Sequence, residues 1–270
     1  MVCKICNSSV LPIFKTIILN KYNAEYYRCN NCQFIQTEEP FWLKEAYESA
    51  ITKLDIGLVS RNLHFSTIIE DWFARDVFNS NGIFLDYAGG YGLFVRLMRD
   101  KGFDFYREDV YCDNLFADYF DLIDKPSGQR FDAITAFEVF EHLEDPIGGL
   151  KKMLGYSDTI IFSTELQPSE NLNPDTWWYF IPETGQHISL YSYESLQQLA
   201  DLENLQLYSN RKSMHIFSRA KLPLDPFDKK KESFVLKLIQ RTLGKITPQG
   251  EARNRESLLS KDFDYIKSIL

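Results

Sequence analysis

The sequence predicts an α/β fold built on a mostly parallel sheet. Three observations predict it. From residue 81 to residue 220, short apolar runs alternate with segments of helical periodicity, which calls for parallel strands joined by helical crossovers. One run, Ile83-Phe84-Leu85, ends in Asp86 and breaks into a turn holding Gly89, Gly90 and Gly92, after which residues 93–99 carry an apolar helical stripe. Two more runs, at 103–107 and 131–137, also end in acidic residues, Glu108-Asp109 and Glu138. Ligands of open α/β sheets bind at this C-terminal edge of the strands.

The chain opens on a different pattern. Cys3 and Cys6 form one C-x-x-C pair and Cys29 and Cys32 a second, with 22 residues between them. Four thiolates in two such knuckles make a tetrahedral zinc set, and iron on the same thiolates is the chemical alternative. Two disulfides fit poorly with a cytosolic chain, and a redox pair would not need the second copy. Residues 13–19 and 25–28 are expected to pair as a ribbon. A unit this short, 1–39, buries too little apolar surface to fold without a metal. The four ligands leave no open position, so the metal is expected to be structural; Cys112 is unpaired and unremarkable.

Residues 40–80 are expected to form a helical cap or linker. Helix formers run from 44 to 78 and are interrupted at Asp55-Ile56-Gly57, so two helices are predicted, the second including residues 71–78. Tyr47, Asp55, Arg61 and Asn62 are candidates for covering a cofactor mouth, and a solvated helix face explains each as well. Within 81–220, further strands are expected at 159–164, 205–209 and 214–219, and helices at 145–154 and 192–202. The last two strands are close enough for a hairpin. Residues 110–130 are short for a helix–strand unit.

The glycine turn selects a cofactor class. The dinucleotide fingerprint G-x-G-x-x-G fails, because counting from Gly90 its third glycine position is Val95. Asp86 beside the turn would repel a phosphate and attract a cation, and S-adenosylmethionine carries both a sulfonium and an ammonium. Asp86, Ala88, Gly90 and Gly92 resemble the Asp-x-Gly-x-Gly-x-Gly motif of class I S-adenosylmethionine-dependent methyltransferases, with Ala88 in place of the first glycine. The resemblance implies a Rossmann-like sheet with an antiparallel final strand. It also implies cofactor contacts from Asp86, Tyr87, Ala88, Gly89, Gly90 and Gly92, and from Phe137 and Glu138 along the methionine moiety. Asp109, 23 residues after Asp86, is the expected ribose ligand, with Glu108 as the alternative.

Residues 165–193 form a long loop after the fifth strand, rich in aromatics: Trp177, Trp178, Tyr179 and Phe180, then Gly185 and His187. Aromatic faces at that edge suit sugars and flat groups, although Phe180 reads better as lid packing. With the paired cysteines, Glu141-His142 and Gly-Gln-His-Ile-Ser at 185–189, residues 1–220 resemble sugar methyltransferases that carry an N-terminal zinc module, among them deoxysugar C-methyltransferases. The resemblance implies a sugar-like acceptor, nucleotide-linked or part of a surface polysaccharide. Removing its proton calls for a base titrating near neutral pH. Of the four histidines, His187 and His142 are the candidates, with Glu141 to tune the base and Tyr179 beside it. A small-molecule O- or N-methyltransferase and a non-catalytic scaffold of the same fold are the competing readings.

A net charge of −8 and a pI near 5.1 argue against general nucleic-acid binding. Lys4, Asn7 and the serines after it interrupt any early apolar run, and no run approaches a membrane span, so a cytoplasmic location is expected. Residues 221–270 are expected to form a helical tail. Lys229-Lys230-Lys231 and the apolar residues after it would pack on the domain or touch a membrane or partner peripherally, and 246–256 reads as a linker.

Overall fold

A computed structural model describes residues 1–48, 52–170, 172–228 and 255–270. In chain order the elements are β1 (Val10–Ile18), β2 (Tyr22–Cys29), β3 (Ile35–Thr37), α1 (Leu43–Ala46), α2 (Leu58–Ala74), β4 (Ile83–Tyr87), α3 (Leu93–Asp100), β5 (Asp104–Glu108), β6 (Ala133–Phe137), α4 (Pro146–Leu154), β7 (Thr159–Ser163), β8 (Ser189–Leu190), α5 (Tyr193–Leu202), β9 (Gln206–Ser209), β10 (Met214–Ser218) and α6 (Leu259–Ile269).

The central sheet has six strands in the order β5-β4-β6-β7-β10-β9. The pairs β4–β5, β4–β6 and β6–β7 are parallel, and β10 is antiparallel to both β7 and β9. This is the mostly parallel, Rossmann-like methyltransferase sheet with the antiparallel edge that the sequence predicts. The centre strands are covered on both faces, so β6 (Ala-Ile-Thr-Ala-Phe) is apolar throughout except for Thr135. The helices start where the sequence supplies caps. Asp145 accepts the Gly148 N–H ahead of Pro146, and Ser192 and Ser195 cap α5 reciprocally.

Three differences from the sequence reading have physical causes. Residues 110–130 add no strand; a short 3-10 turn at Leu122–Asp124 and one parallel bridge from Arg107 to Asp121 stand in its place. There Arg107 turns its guanidinium inward, bonding Asp121 at 2.6 Å and the Gly90 and Cys112 carbonyls, so side-chain bonds replace a ladder. The helix expected to reach residue 78 ends at Ala74, because Asp76 takes a left-handed φ of 55°. Finally, the expected ribbon, β1 against β2, grows into a four-stranded sheet β1-β2-β3-β8, whose last strand comes from the aromatic loop.

That shared sheet fuses the cysteine unit to the rest of the chain. Cys3, Cys29, Cys32 and Phe34 belong to the same buried cluster as Phe140, Leu150, Phe162 and Tyr191. The aromatic loop packs on the ribbon, with the Phe180 ring edge-on to Phe14 and to Tyr26 and the Trp42 indole N–H donating to the Gly185 carbonyl. Across the central sheet, α2 and α3 bury Phe65, Phe73, Phe94 and Met98 against Phe84 and Phe105. The C-terminal helix α6 docks through Asp262, which takes the Arg99 guanidinium with both oxygens at 2.8 Å. The basic stretch expected at 229–239, and the linker expected at 246–256 apart from its last two residues, lie outside the described residues. Among the described residues, no helix is long and apolar enough to cross a membrane.

Candidate active site

A cavity of about 1300 Å³ opens at the C-terminal edge of the sheet. Its floor is the tips of β4, β5 and β6, one wall is Tyr47 with residues drawn from 52–65, and the other is the aromatic loop at Trp178, Tyr179, Gln186 and His187. Asp86, Tyr87, Ala88, Gly89, Gly90, Glu108, Asp109, Phe137, Glu138, His142, Tyr179 and His187 all line it, so the structure brings these sequence-predicted positions together. Tyr47, Asp55, Arg61 and Asn62 line it too. Gly92 stands just behind, capping α3 at φ 83°, and Glu141 is fully buried beneath the floor.

The glycine turn is tight for identifiable reasons. A Cβ on Gly92 would sit 2.5 Å from Asn114 Oδ1, in a backbone conformation that L residues rarely adopt. A Cβ on Gly89 would meet Asp86 Oδ2 at 2.7 Å and the Arg107 side chain at 2.9 Å. Ala88 holds φ 54°, a left-handed conformation at the position where the motif has glycine. The bare turn lets a ligand approach the backbone, so the residues fit an adenosyl cofactor.

The acidic tips are not equivalent. Asp86 is buried and accepts the Thr135 hydroxyl at 2.6 Å, and burial pushes its carboxyl up to about 7. Asp109 is committed to the loop, its oxygens accepting the N–H groups of Gly90, Tyr111 and Cys112 at 2.7–2.9 Å. Glu108 ends β5 with its carboxylate 3.7 Å from Lys152 Nζ, and burial raises it. Glu138, at φ 55°, accepts the Ser163 hydroxyl at 2.6 Å, and burial raises it to about 7.

Below these lies a corner of Glu141, His142 and His187. One ligand atom from each lies within 4.8 Å of the other two. Burial pushes Glu141 up to about 7 against the pull of its own backbone N–H and of the Tyr179 and Thr164 hydroxyls, yet no hydrogen bond of good geometry reaches either oxygen. His142 Nδ1 lies 3.1 Å from the Gln186 carbonyl and His187 Nδ1 lies 2.6 Å from the Tyr179 carbonyl. Burial lowers both imidazoles, His187 to about 3, which makes His187 a weak proton acceptor. His215 is packed between Ser209 and the Thr164 carbonyl, away from the cavity.

The four N-terminal thiols form a second group. Sγ–Sγ distances are 3.6 Å for Cys3–Cys32, 3.4 Å for Cys6–Cys29 and 3.6 Å for Cys6–Cys32. Four sulfurs at ~2.3 Å around one ion stand about 3.8 Å apart, whereas a disulfide needs ~2 Å. The set therefore fits one tetrahedral ion and no disulfide. The Cys3 thiol is drawn down to about 5 by Cys32, which is pushed up in turn.

Sequence reasoning missed Thr135, Arg107 and Lys152. The first two left a signal, a hydroxyl inside an apolar strand and an arginine at a buried strand end.

Set against known proteins, the family described as "Methyltransferase domain" matches residues 61–210, more than half of the chain. The chain belongs to the methyltransferase-domain family. The match runs from the cavity wall at Arg61 through the glycine turn, the acidic tips and both histidines, and it assigns a class I, S-adenosylmethionine-dependent methyltransferase domain. No curated protein sequence matches the chain. Among solved structures, CalO1, a methyltransferase in calicheamicin biosynthesis with SAH bound, is 16% identical at a TM-score of 0.42, over 66% of this chain and 61% of that one. The plantazolicin methyltransferase BpumL, with SAH and a monoazolic desmethylPZN analog, is 13% identical at 0.45, over 74% and 87%. An O-methyltransferase family 2 protein from Planctomyces limnophilus in complex with apigenin is 13% identical at 0.43, over 64% and 63%. The chain thus spans about 61% of the length of the first of these structures.

Proposed function

We propose that the protein transfers a methyl group from S-adenosylmethionine to a hydroxyl or an activated carbon of a sugar-like acceptor. The observation that carries this reading is the single cavity shared by the glycine turn and the Glu138–His142 wall. Bound S-adenosylmethionine supplies a methyl group on a cationic sulfur. The turn Ala88-Gly89-Gly90 and Tyr87 would cradle it, and Asp86 would complement its positive charge. Glu108 would take the ribose hydroxyls, since Asp109 is already occupied by three backbone N–H groups. Phe137 and Glu138 would lie along the methionine end.

Proton removal falls to Glu138 and His142. Glu138, raised to about 7, titrates near the working pH, and His142 is held neutral by burial with its Nε2 lone pair free of Nδ1's carbonyl bond. Tyr179 and His187 shape the wall formed by the aromatic loop. Trp178, 67% exposed at the rim, and the stacked pair Tyr47–Tyr111 offer aromatic faces to a ring-shaped acceptor. Cys3, Cys6, Cys29 and Cys32 would hold a structural zinc that fixes the ribbon under the aromatic loop.

Calorimetry with S-adenosylmethionine tests the cofactor half, and an absence of binding ends it. For the acceptor, nucleotide sugars are incubated with enzyme and cofactor and scanned for the mass of one added methylene. Trp178→Ala is expected to raise the acceptor KM while leaving cofactor affinity unchanged. Failure of every sugar alongside methylation of a non-sugar phenol would replace the sugar reading.

A further inference from the structure

The corner of Glu141, His142 and His187 brings one buried carboxyl group and two imidazoles together. Both Nδ1 atoms face backbone carbonyl oxygens, at 3.1 Å from Gln186 and 2.6 Å from Tyr179, and a carbonyl can only accept. Both imidazoles therefore carry their proton on Nδ1 and turn an unprotonated Nε2 elsewhere. His142 Nε2 is 3.9 Å from Glu141 Oε1. Glu141 is 0% exposed, and although the Tyr179 and Thr164 hydroxyls act on its carboxyl, no hydrogen bond of good geometry reaches either oxygen. A buried carboxylate left without a partner is strongly destabilising, so something should complete the site.

We propose that Glu141, His142 and His187 bind a divalent transition-metal ion through one carboxylate oxygen and two Nε2 atoms. Three features support it. One ligand atom from each of the three residues lies within 4.8 Å of the other two, and His142 Nε2 lies 3.9 Å from Glu141 Oε1. Each histidine donates its other ring nitrogen to a backbone carbonyl, the contact that fixes tautomer and orientation in metal-ligating histidines. The two imidazoles line the cavity while Glu141 lies behind them, so the ion would keep open positions toward the acceptor. Two nitrogens and one oxygen suit zinc, cobalt or iron(II) rather than magnesium or calcium.

Ion binding stands apart from the acceptor assignment, but the use of the ion rests on it. An acceptor oxygen on the open positions would lose its proton more readily. With His142 Nε2 engaged, the proton would pass to Glu138, whose carboxylate lines the same cavity.

Cobalt(II) is the probe. Full-length protein whose four cysteines already hold one equivalent of zinc is titrated with cobalt(II) by calorimetry and visible absorption. One further equivalent is expected, with weak ligand-field bands and no thiolate-to-metal charge transfer. Glu141→Gln and His187→Ala are each expected to weaken cobalt binding more than about tenfold while cofactor binding persists. His142→Ala, at the partly buried edge of the corner, serves where a fully buried substitution fails to fold. Wild-type protein that takes up no second equivalent overturns the proposal, as does cobalt entering only with thiolate charge-transfer bands. Unchanged affinity in the folded variants does the same. A chain that binds cobalt here but methylates nothing keeps the ion site and loses the acceptor reading, so the two failures are distinguishable.

Discussion

Replacing Asp86 with asparagine should change how stability depends on pH. Burial raises the Asp86 carboxyl from an ordinary 3.8 to about 7, with the Thr135 hydroxyl and Arg107 pulling the other way. A folded-state pKa above the unfolded one means that the protonated form is favoured by folding. The contribution is fully present below pH ~4 and is lost as pH rises toward 7. At 1.36 kcal/mol per pH unit, the interval between 3.8 and about 7 corresponds to about 4 kcal/mol lost by pH 8, the larger share of it above pH 5. The asparagine amide cannot ionise and keeps the Oδ1 that accepts the Thr135 hydroxyl, a bond of 2.6 Å in the wild type. Its NH₂ group brings a pairing penalty of ~1–3 kcal/mol, but that penalty is the same at both pH values. Relative to the wild type, Asp86→Asn should therefore gain about 3 kcal/mol between pH 5 and pH 8, roughly 5–10 °C in thermal midpoint. The assay is thermal unfolding of cofactor-free protein at the two pH values. Cofactor affinity should meanwhile fall about tenfold or more at pH 8, where the wild-type carboxylate is charged. Parallel midpoint–pH curves for wild type and variant would falsify the assignment of a raised carboxyl at this position.

Gly92→Ala must accept both φ 83° and a Cβ 2.5 Å from Asn114 Oδ1, so a loss of more than ~1–2 kcal/mol in stability and a collapse of cofactor affinity are expected, read by unfolding and calorimetry. Cys29→Ser should release about one equivalent of metal by elemental analysis and lower the thermal midpoint; retention of the metal would remove the four-thiolate reading. Asp262→Ala removes the bidentate partner of the buried Arg99, which keeps Asp104 at 2.6 Å and the Phe105 carbonyl, so a cost of ~1–3 kcal/mol is expected. Limited proteolysis should then cut near residue 258 well before the wild type is cut there.

The sheet and its ligand edge were legible because local signals were strong. Ile83-Phe84-Leu85 followed by Asp86 and three glycines can do little but end a strand in a bare turn, and Glu138 and His142 follow an apolar strand directly. The acidic pair at 108–109 was harder. Both line the cavity, and which carboxylate is left open to a ligand depends on the backbone N–H groups of Gly90, Tyr111 and Cys112, contacts that no spacing rule reports. His187 was favoured for its reach toward substrate, and it does line the cavity, but at 8% exposure, with its carbonyl held by the Tyr26 hydroxyl of the distant ribbon, a contact no local pattern reports. Ser189 and Leu190 gave no strand signal, being two residues whose pairing partner, β3, lies about 150 residues earlier.

That last pairing bears on how the chain can be cut and recombined. A deletion of the first 39 residues would not trim an appendage. It would strip Ser189–Leu190 of its hydrogen-bonded neighbour, uncover Phe180, and free the backbone that aims His187 into the cavity. Grafting the ribbon onto another methyltransferase would likewise require carrying residues 165–190 with it, so heredity should treat the two distant segments as one exchangeable piece.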